Sequence, residues 1–301
     1  MGKIDVAIVG GGPAGLQAAL VIARTRKRVL VLDAPRAPRN SASHGVHNFL
    51  GLDGLLPGEI RKIAWKQIHA YNSAELRDEQ VVDIRRSDDG RFILTGGDGG
   101  SYTATKLILA FGYHDDFPDI PGFIECWADT IIPCPFCDGY ENRDRVWGVV
   151  PADQNEVRLF PKLAQNWTSS IKVFLPPGLE MDEALRNELA VLGIPVYEGS
   201  ITEVHHSVGK VEAVNLDSGS RVSVGTLLWK PHARISSLIQ NLVANLGLEV
   251  DESGWVVTDE LQQTNVPDVW AAGDVQGWVG GLAAAAAGDR AALSLVKAWY
   301  S

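Results

Sequence analysis

"KIDVAIVGGGPAGLQAALVIARTRKRVLVLDAP", residues 3–35, reads as strand, glycine turn, helix, strand. Ile4 to Val9 is a short apolar run rich in β-branched residues, and Leu16 to Ala23 is a small, apolar helix opening. Between them Gly10, Gly12 and Gly15 make G-x-G-x-x-G, with Pro13 and Ala14 inside the loop. The three glycines do different things. Gly10 permits the tight turn, Gly12 lets the backbone approach a pyrophosphate, and Gly15 allows close helix–strand packing. The phosphates then rest on a helix N-terminus, where unpaired N–H groups and the dipole favour negative charge. Val29 to Leu32 forms the second strand and ends in Asp33, 18 residues past Gly15, placed to accept from a ribose diol. The glycine pattern alone is weak. With this strand, helix and acid around it, it predicts a bound dinucleotide.

The far end of the chain points to FAD rather than NAD. "VPDVWAAGDVQG" (266–277) is an apolar strand closing on Ala272-Gly273-Asp274, followed by the small-residue helix "GGLAAAAAGDRAALSLVKAW" (280–299). This resembles the second FAD motif of the two-dinucleotide-fold flavoproteins. The resemblance implies that Asp274 bonds the ribityl chain and that the helix aims its N-terminus at the flavin pyrimidine, where it favours the charge of a reduced ring. The five alanines also suit a tightly packed helix.

Composition narrows the class. With 301 residues, 46% hydrophobic and 21% charged, the chain suits one large or two ordinary globular domains. No run approaches 18 apolar residues, so no membrane span is expected, and the N-terminal stretch reads as fold, not as signal peptide. Three cysteines are too few for a disulfide framework, which favours a reducing, cytoplasmic setting. A net charge of −10 argues against nucleic acid. One basic segment, residues 23–39, carries Arg24, Arg26, Lys27 and Arg28. It reads either as a helix end with cations suited to the dipole or as a docking patch for an acidic protein.

"CPFCDGYE" (134–141) holds Cys134 and Cys137, with Asp138 directly after them. The glycine loop, this Cys-x-x-Cys-Asp-Gly and Ala-Gly-Asp at 272–274 stand in the order and spacing of the low-molecular-weight thioredoxin reductases, and the resemblance covers nearly the whole chain. "HNFLGLDG" (47–54) falls where that family has an Asn-Phe-x-Gly segment near the flavin, which makes Asn48 a cofactor-binding candidate. "LILAFGYHDDFPDIPGF" (107–123) resembles its hinge strand and exit from the FAD domain. The implied fold is α/β, the two-dinucleotide-binding-domain (Rossmann-like) flavoprotein fold. Residues 1–115 and 241–301 would bind FAD, and an inserted NADPH-like domain, 116–240, would carry the disulfide. A homodimer is implied as well.

The sequence departs from that family at its second nucleotide loop. Where Gly-x-Gly-x-x-Ala is expected stands "RVWGVVPADQNEVRLF" (145–160). A strand over Val146–Val150 survives, but the turn is Pro151-Ala152-Asp153-Gln154, whose side chains crowd the phosphate position and whose Asp153 repels it. The next strand, "SIKVFLPPG" (170–178), ends in Leu175-Pro176-Pro177 where basic residues would grip the 2′-phosphate. NADPH binding is therefore not expected.

Three electron routes fit a chain with disulfide and flavin but no NADPH loop. A second FAD in the inserted domain, with dithiol-to-flavin flow, resembles the diflavin-linked disulfide oxidoreductases of cyanobacteria and is the preferred reading. Trp147, Trp229 and Trp299 are candidates to stack on such a ring, or core aromatics. Alternatives are a ferredoxin-dependent flavin thioredoxin reductase and a dithiol oxidase using oxygen. From another class comes a non-catalytic flavin-binding sensor, against which the intact cysteine pair argues. The outside partner would be a small dithiol, a thioredoxin-like protein or ferredoxin; contact with a membrane carrier stays open.

A zinc half-site needs two further Cys or His ligands at recognisable spacing, which are not seen, so no metal is expected. Cys-x-x-Cys at a helix start lowers a thiol pKa. The resemblance implies that Cys137 faces the flavin, Cys134 exchanges with the outside couple, and Asp138 moves the proton; Asp138 also reads as a helix cap. Cys126 reads as a buried small hydrophobe. His44 and His47 read as proton shuttles or as packing.

Overall fold

In the computed structural model, which describes residues 4–35, 37 and 39–300, the chain divides into two units. The first takes Met1–Ser41, Leu55–His114 and Arg234–Ser301; the second takes Ala42–Gly54 and Asp115–Ala233.

The first unit opens with β1 (Ile4–Val9), α1 (Pro13–Arg24), β2 (Val29–Asp33), α2 (Pro57–His69) and β3 (Ala74–Asp78). A meander of β4 (Val81–Arg86), β5 (Phe92–Gly96) and β6 (Ser101–Leu109) follows. The sheet runs β3-β2-β1-β6-β5-β4. β1 lies parallel to both β2 and β6, so the glycine loop leaves the centre of the sheet. Strand periodicity sorts the side chains: Val6, Ile8, Val29 and Val31 enter one core, Ala7, Val9, Leu30 and Leu32 the other. Helix α1 covers the first of these through Leu16, Ala18, Ala19 and Ile22.

The second unit contains β7 (His114–Asp116), α3 (Phe123–Cys126), β8 (Ile131–Ile132), α4 (Pro135–Asp138), β9 (Trp147–Val150), α5 (Gln154–Leu163), β10 (Ile171–Leu175), α6 (Glu183–Val191) and β11 (Val196–Glu198). The meander β12 (Ile201–Ser207), β13 (Lys210–Leu216) and β14 (Arg221–Ser223) precedes β15 (Thr226–Trp229) and β16 (His232–Arg234). Its main sheet, β11-β10-β9-β15-β8, is parallel throughout. The chain then re-enters the first unit with α7 (Ser237–Leu246), β17 (Val269–Ala271) parallel to β6, and α8 (Gly281–Lys297).

Two boundaries differ from the sequence expectation. The inserted unit ends at Ala233, not at 240, because α7 packs Leu238, Ile239 and Leu242 into the first unit's core. Residues 42–54 group with the second unit, because Asn48 bonds the cysteine turn. Trp147 needs correction as a ring-stacking candidate. Trp147 is fully buried, stacks on Trp167 at 5.9 Å and donates its indole N–H to Asn142 O. Trp229 stands edge-on to Phe123 at 5.1 Å, and Trp299 carries Lys27 over its ring at 4.4 Å.

The basic segment behaves as a helix end and turn. Arg24 donates to the Tyr71 hydroxyl and Arg28 N–H to Asp5; Arg36 and Pro38 lie outside the described residues. Among the described residues no helix is long and apolar enough to cross a membrane.

Candidate active site

The N-termini of α1, α8 and α5 fall into two kinds, open and filled. At α1 the N-cap is Gly12, no side chain caps the first turn, and no acid lies in it. Ideal Cβ positions explain the glycines. A Cβ on Gly15 would stand 1.9 Å from Gly10 O, and one on Gly10 would meet Ala110 O at 2.3 Å. A Cβ on Gly12 would meet nothing within 4 Å, so its missing side chain serves space outside the fold. Asp33 closes the cradle: Gly11 N–H donates to Oδ1 at 2.8 Å, and Arg61 of α2 pairs with Oδ2 at 2.5 Å. Arg61 carried no signal in the sequence, because its contact spans a long loop.

At α8 the pattern repeats. Its N-cap is Gly280, uncapped and without a first-turn acid. Gly273 has φ +79 and brings β17 against Ala14, where a Cβ would come within 2.9 Å of the alanine methyl. Gly288 lets α8 cross α1: a Cβ there would meet Ala14 O at 2.0 Å. The alanine run is therefore a packing surface as well as the approach to a site. Asp274 Oδ1 accepts from Val279 N–H at 3.1 Å, which fixes the turn before α8.

At α5 the terminus is filled from within. Asp153 is its N-cap and accepts from Asn155 N–H at 2.8 Å and Glu156 N–H at 2.9 Å. Glu156, half-turned into the protein, accepts from Ala152 N–H at 2.8 Å. Burial raises the Glu156 pKa, helped by the Asp153 charge and opposed by the Ala152 N–H and by Lys230, whose Nζ lies 4.0 Å away. Two carboxylates thus hold the N–H groups that a phosphate would use. Asp-x-x-Glu is the sequence signature of a capped helix start and announces this arrangement. Asp153→Ala is expected to destabilise the protein by about 1 kcal/mol without creating nucleotide affinity, since Glu156 stays; denaturant unfolding and NADPH titration check both.

The cysteine turn lies in the second unit. Cys134 is the N-cap of α4, and Cys137 and Asp138 return their N–H groups to its carbonyl at 3.2 and 3.3 Å. No disulfide joins the two cysteines in the structure; Cys134 is buried and Cys137 partly exposed, the reverse of what an exchange role for Cys134 suggests by access alone. The Cys134 thiol is held below the usual range by its hydrogen bond with Cys137 and by the N–H groups of Cys137 and Phe136, against burial and the Asp138 charge. Cys126 differs: fully buried, it is pushed up to about 11, chiefly by burial, which leaves it an inert thiol.

Burial, helped by the Glu141 charge, pushes the Asp138 carboxyl up to about 6, against the pull of His47 and His44. Such a group can both give and take a proton near neutrality. It also carries a stability consequence. The folded state holds the Asp138 proton to higher pH than the unfolded chain, so its contribution falls as pH rises from about 4 to about 6. Asp138→Asn is expected to stabilise the fold at pH 7 by as much as about 3 kcal/mol, with the gain vanishing near pH 4. Chemical denaturation of both proteins across this window checks it. Asn48, expected at a cofactor, donates its Nδ2–H to Phe136 O at 2.6 Å and so serves the cysteine turn.

A family model for pyridine nucleotide-disulphide oxidoreductases matches residues 4–145 and 173–291. The chain belongs to that family. It is 34% identical to thioredoxin reductase tcpT of Claviceps purpurea, over 90% of this chain and 86% of that one. To thioredoxin reductase aclD of Aspergillus oryzae it is 31% identical, over 90% and 88%. The crystal structure of a putative thioredoxin reductase, TrxB, from Bacillus anthracis superposes with a TM-score of 0.90 at 29% identity, covering 99% of each chain. This pyridine nucleotide-disulphide oxidoreductase is thus a thioredoxin-reductase-like flavoprotein with the corresponding α/β fold, acting on a sulfur group. The family binds FAD, and the open termini of α1 and α8 with the bare face of Gly12 fit that group. The stretch the family model passes over, 146–172, contains β9, the Asp153 cap and α5.

Proposed function

We propose that this oxidoreductase takes electrons from an external dithiol through Cys134–Cys137 and delivers them to FAD without NADPH. The carrying observation is the terminus of α5, where Asp153 and Glu156 occupy the N–H groups a dinucleotide phosphate needs. Gly10, Gly12, Pro13, Ala14, Gly15, Asp33, Gly273 and Asp274 would hold FAD, which supplies a two-electron acceptor.

The residues act in sequence. An external thiolate attacks one sulfur of the Cys134–Cys137 bond; a mixed disulfide forms, and the other cysteine leaves as thiolate and takes a proton from Asp138. The second external thiol gives its proton to Asp138, attacks the mixed disulfide and departs as product disulfide. Two electrons and one proton have then reached the cysteine pair, and Asp138 carries its proton again. Bound FAD would accept those two electrons and that proton as the disulfide re-forms; the remaining proton went to solvent when the external thiolate formed. The outside dithiol is a small molecule or is carried on a thioredoxin-like protein.

A second FAD in the inserted unit extends the same path. The observation in its favour is a cavity of about 490 Å³ at the end of β10, walled by Leu175, Pro176, Pro177 and Met181, where Arg186 is neutralised by Glu198. FAD released from pure protein, counted against amino-acid analysis, tests it. Two per chain supports a second flavin; one removes it and leaves dithiol-to-flavin flow standing. NADPH titration tests the common core of both, with no saturable binding expected up to about 1 mM.

A further inference from the structure

We propose that Asn142, oriented by Thr226, is the positioning residue of the cysteine turn: its amide fastens the end of that turn to β15 and so fixes the placement of Cys134 against Cys137. The proposal rests on the thiol/disulfide reading above.

Asn142 is 3% exposed, yet every polar atom of its side chain is used. Nδ2 donates to Asp138 O at 3.1 Å and to Asp129 O at 3.0 Å, and Oδ1 accepts from the Thr226 hydroxyl at 3.0 Å. Its main chain joins in: Asn142 N–H donates to Asp138 O at 3.3 Å, and Asn142 O accepts from Trp147 Nε1–H at 2.9 Å. Two carbonyls can be met only by donors, so the amide nitrogen must face them and the amide oxygen must face the hydroxyl. Thr226, fully buried on β15, sets that orientation. An aspartate presents acceptors alone and an aliphatic side chain neither kind, so neither meets the same three groups.

The anchored carbonyl belongs to the redox turn itself. Cys137 N–H and Asp138 N–H both return to Cys134 O, so Cys134 to Asp138 is one closed turn, and Asn142 holds its last carbonyl. Gly139 completes the seat. A Cβ there would meet Pro135 O at 2.2 Å and Trp167 Cδ2 at 3.0 Å, so the turn rests against the indole that stacks on Trp147. The second acceptor, Asp129, precedes Thr130, whose Oγ1 accepts from Val211 N–H at 3.0 Å and whose carbonyl accepts from Leu227 N–H at 2.7 Å. The anchor is thus tied to both β13 and β15. A buried amide with all its bonds met is rigid. The Cys134 thiol is held down by its bond with Cys137 and by the N–H groups of Cys137 and Phe136, contacts that last only while the turn keeps its shape.

The test reads the equilibrium of the cysteine pair itself. FAD-loaded protein is equilibrated anaerobically with reduced and oxidised dithiothreitol and quenched in acid. The thiols are then labelled with N-ethylmaleimide under denaturing conditions, and dithiol and disulfide forms are counted by mass spectrometry. Asn142→Ala is expected to shift this equilibrium about tenfold toward the disulfide, because the thiolate loses its N–H partners. Flavin bleaching at saturating dithiothreitol slows about tenfold, while the half-saturating concentration stays unchanged, because the buried amide does not meet the external thiol. Thr226→Val keeps the side-chain shape and removes the hydroxyl; it shifts the equilibrium the same way, by about threefold. Thr226→Ser keeps the hydroxyl and returns the equilibrium to the wild-type value. An unmoved equilibrium in Asn142→Ala, or equal behaviour of Thr226→Val and Thr226→Ser, overturns the proposal. Should Asn142→Ala not fold, the two Thr226 variants decide alone. A wild-type protein whose flavin no dithiol bleaches defeats the dithiol-to-flavin reading instead, and the cysteine equilibrium still decides on Asn142.

Discussion

Cys134→Ser and Cys137→Ser each lower dithiol-driven turnover at least about a thousandfold, while both proteins stay yellow and folded. A nucleophile that acts as one member of a pair cannot be partly replaced, because the remaining sulfur has no bond to exchange. Flavin retention follows from the division of labour in the chain. The cysteines lie in the second unit, whereas the glycine cradle, Asp33 and Asp274 lie in the first. The check is the flavin absorbance of each purified variant, followed by its bleaching with dithiothreitol under anaerobic conditions. Bleaching at the wild-type rate in either variant would show that the flavin takes electrons without the pair.

Gly12→Ala folds normally and loses FAD affinity about a hundredfold or more, whereas Gly15→Ala fails to fold. The two glycines sit three residues apart in one loop, yet their surroundings differ. A methyl on Gly12 touches no atom of the protein, and Gly12 has φ −79, which alanine adopts freely. It intrudes only where the pyrophosphate backbone contact belongs. A methyl on Gly15 lands 1.9 Å from Gly10 O, and the strand beneath cannot give way because Ile8 and Val9 are core residues. The penalty is about 3 kcal/mol or more, a large share of a domain's stability. Thermal unfolding and FAD content of the two variants separate these effects; equal stability with equal flavin would contradict the assignment.

Much of this was legible in the sequence because the constraint is local. A backbone that must pass within contact of a phosphate or of another strand requires glycine at fixed spacing, and Gly10, Gly12, Gly15 and Gly273 all stand where that pressure acts. Departure at the second loop was equally visible, though its physical form was not. Asp153 reads as a charge that repels phosphate; in the structure it is also the N-cap of α5, with Glu156 as its companion. What stayed hidden depends on tertiary neighbours. Nothing near Asn48 in sequence announces Phe136 O as its partner, 88 residues away. Nothing near Trp147 shows that Trp167 and Asn142 will claim both its face and its N–H. Arg61 on Asp33 and His47 between two carboxylates are likewise products of folding.

Electrons enter this protein, on the reading proposed above, through the cysteine pair and not from NADPH. Anaerobic stopped-flow of the FAD-loaded protein tests that most directly, with dithiothreitol in one syringe and NADPH at about 1 mM in another, a concentration that would reveal even weak binding. The dithiol is expected to bleach the flavin, with Asp138 able to serve as proton donor and acceptor around its midpoint of about 6, while NADPH leaves the flavin oxidised. Bleaching by NADPH within seconds, with the dithiol inert, would contradict it.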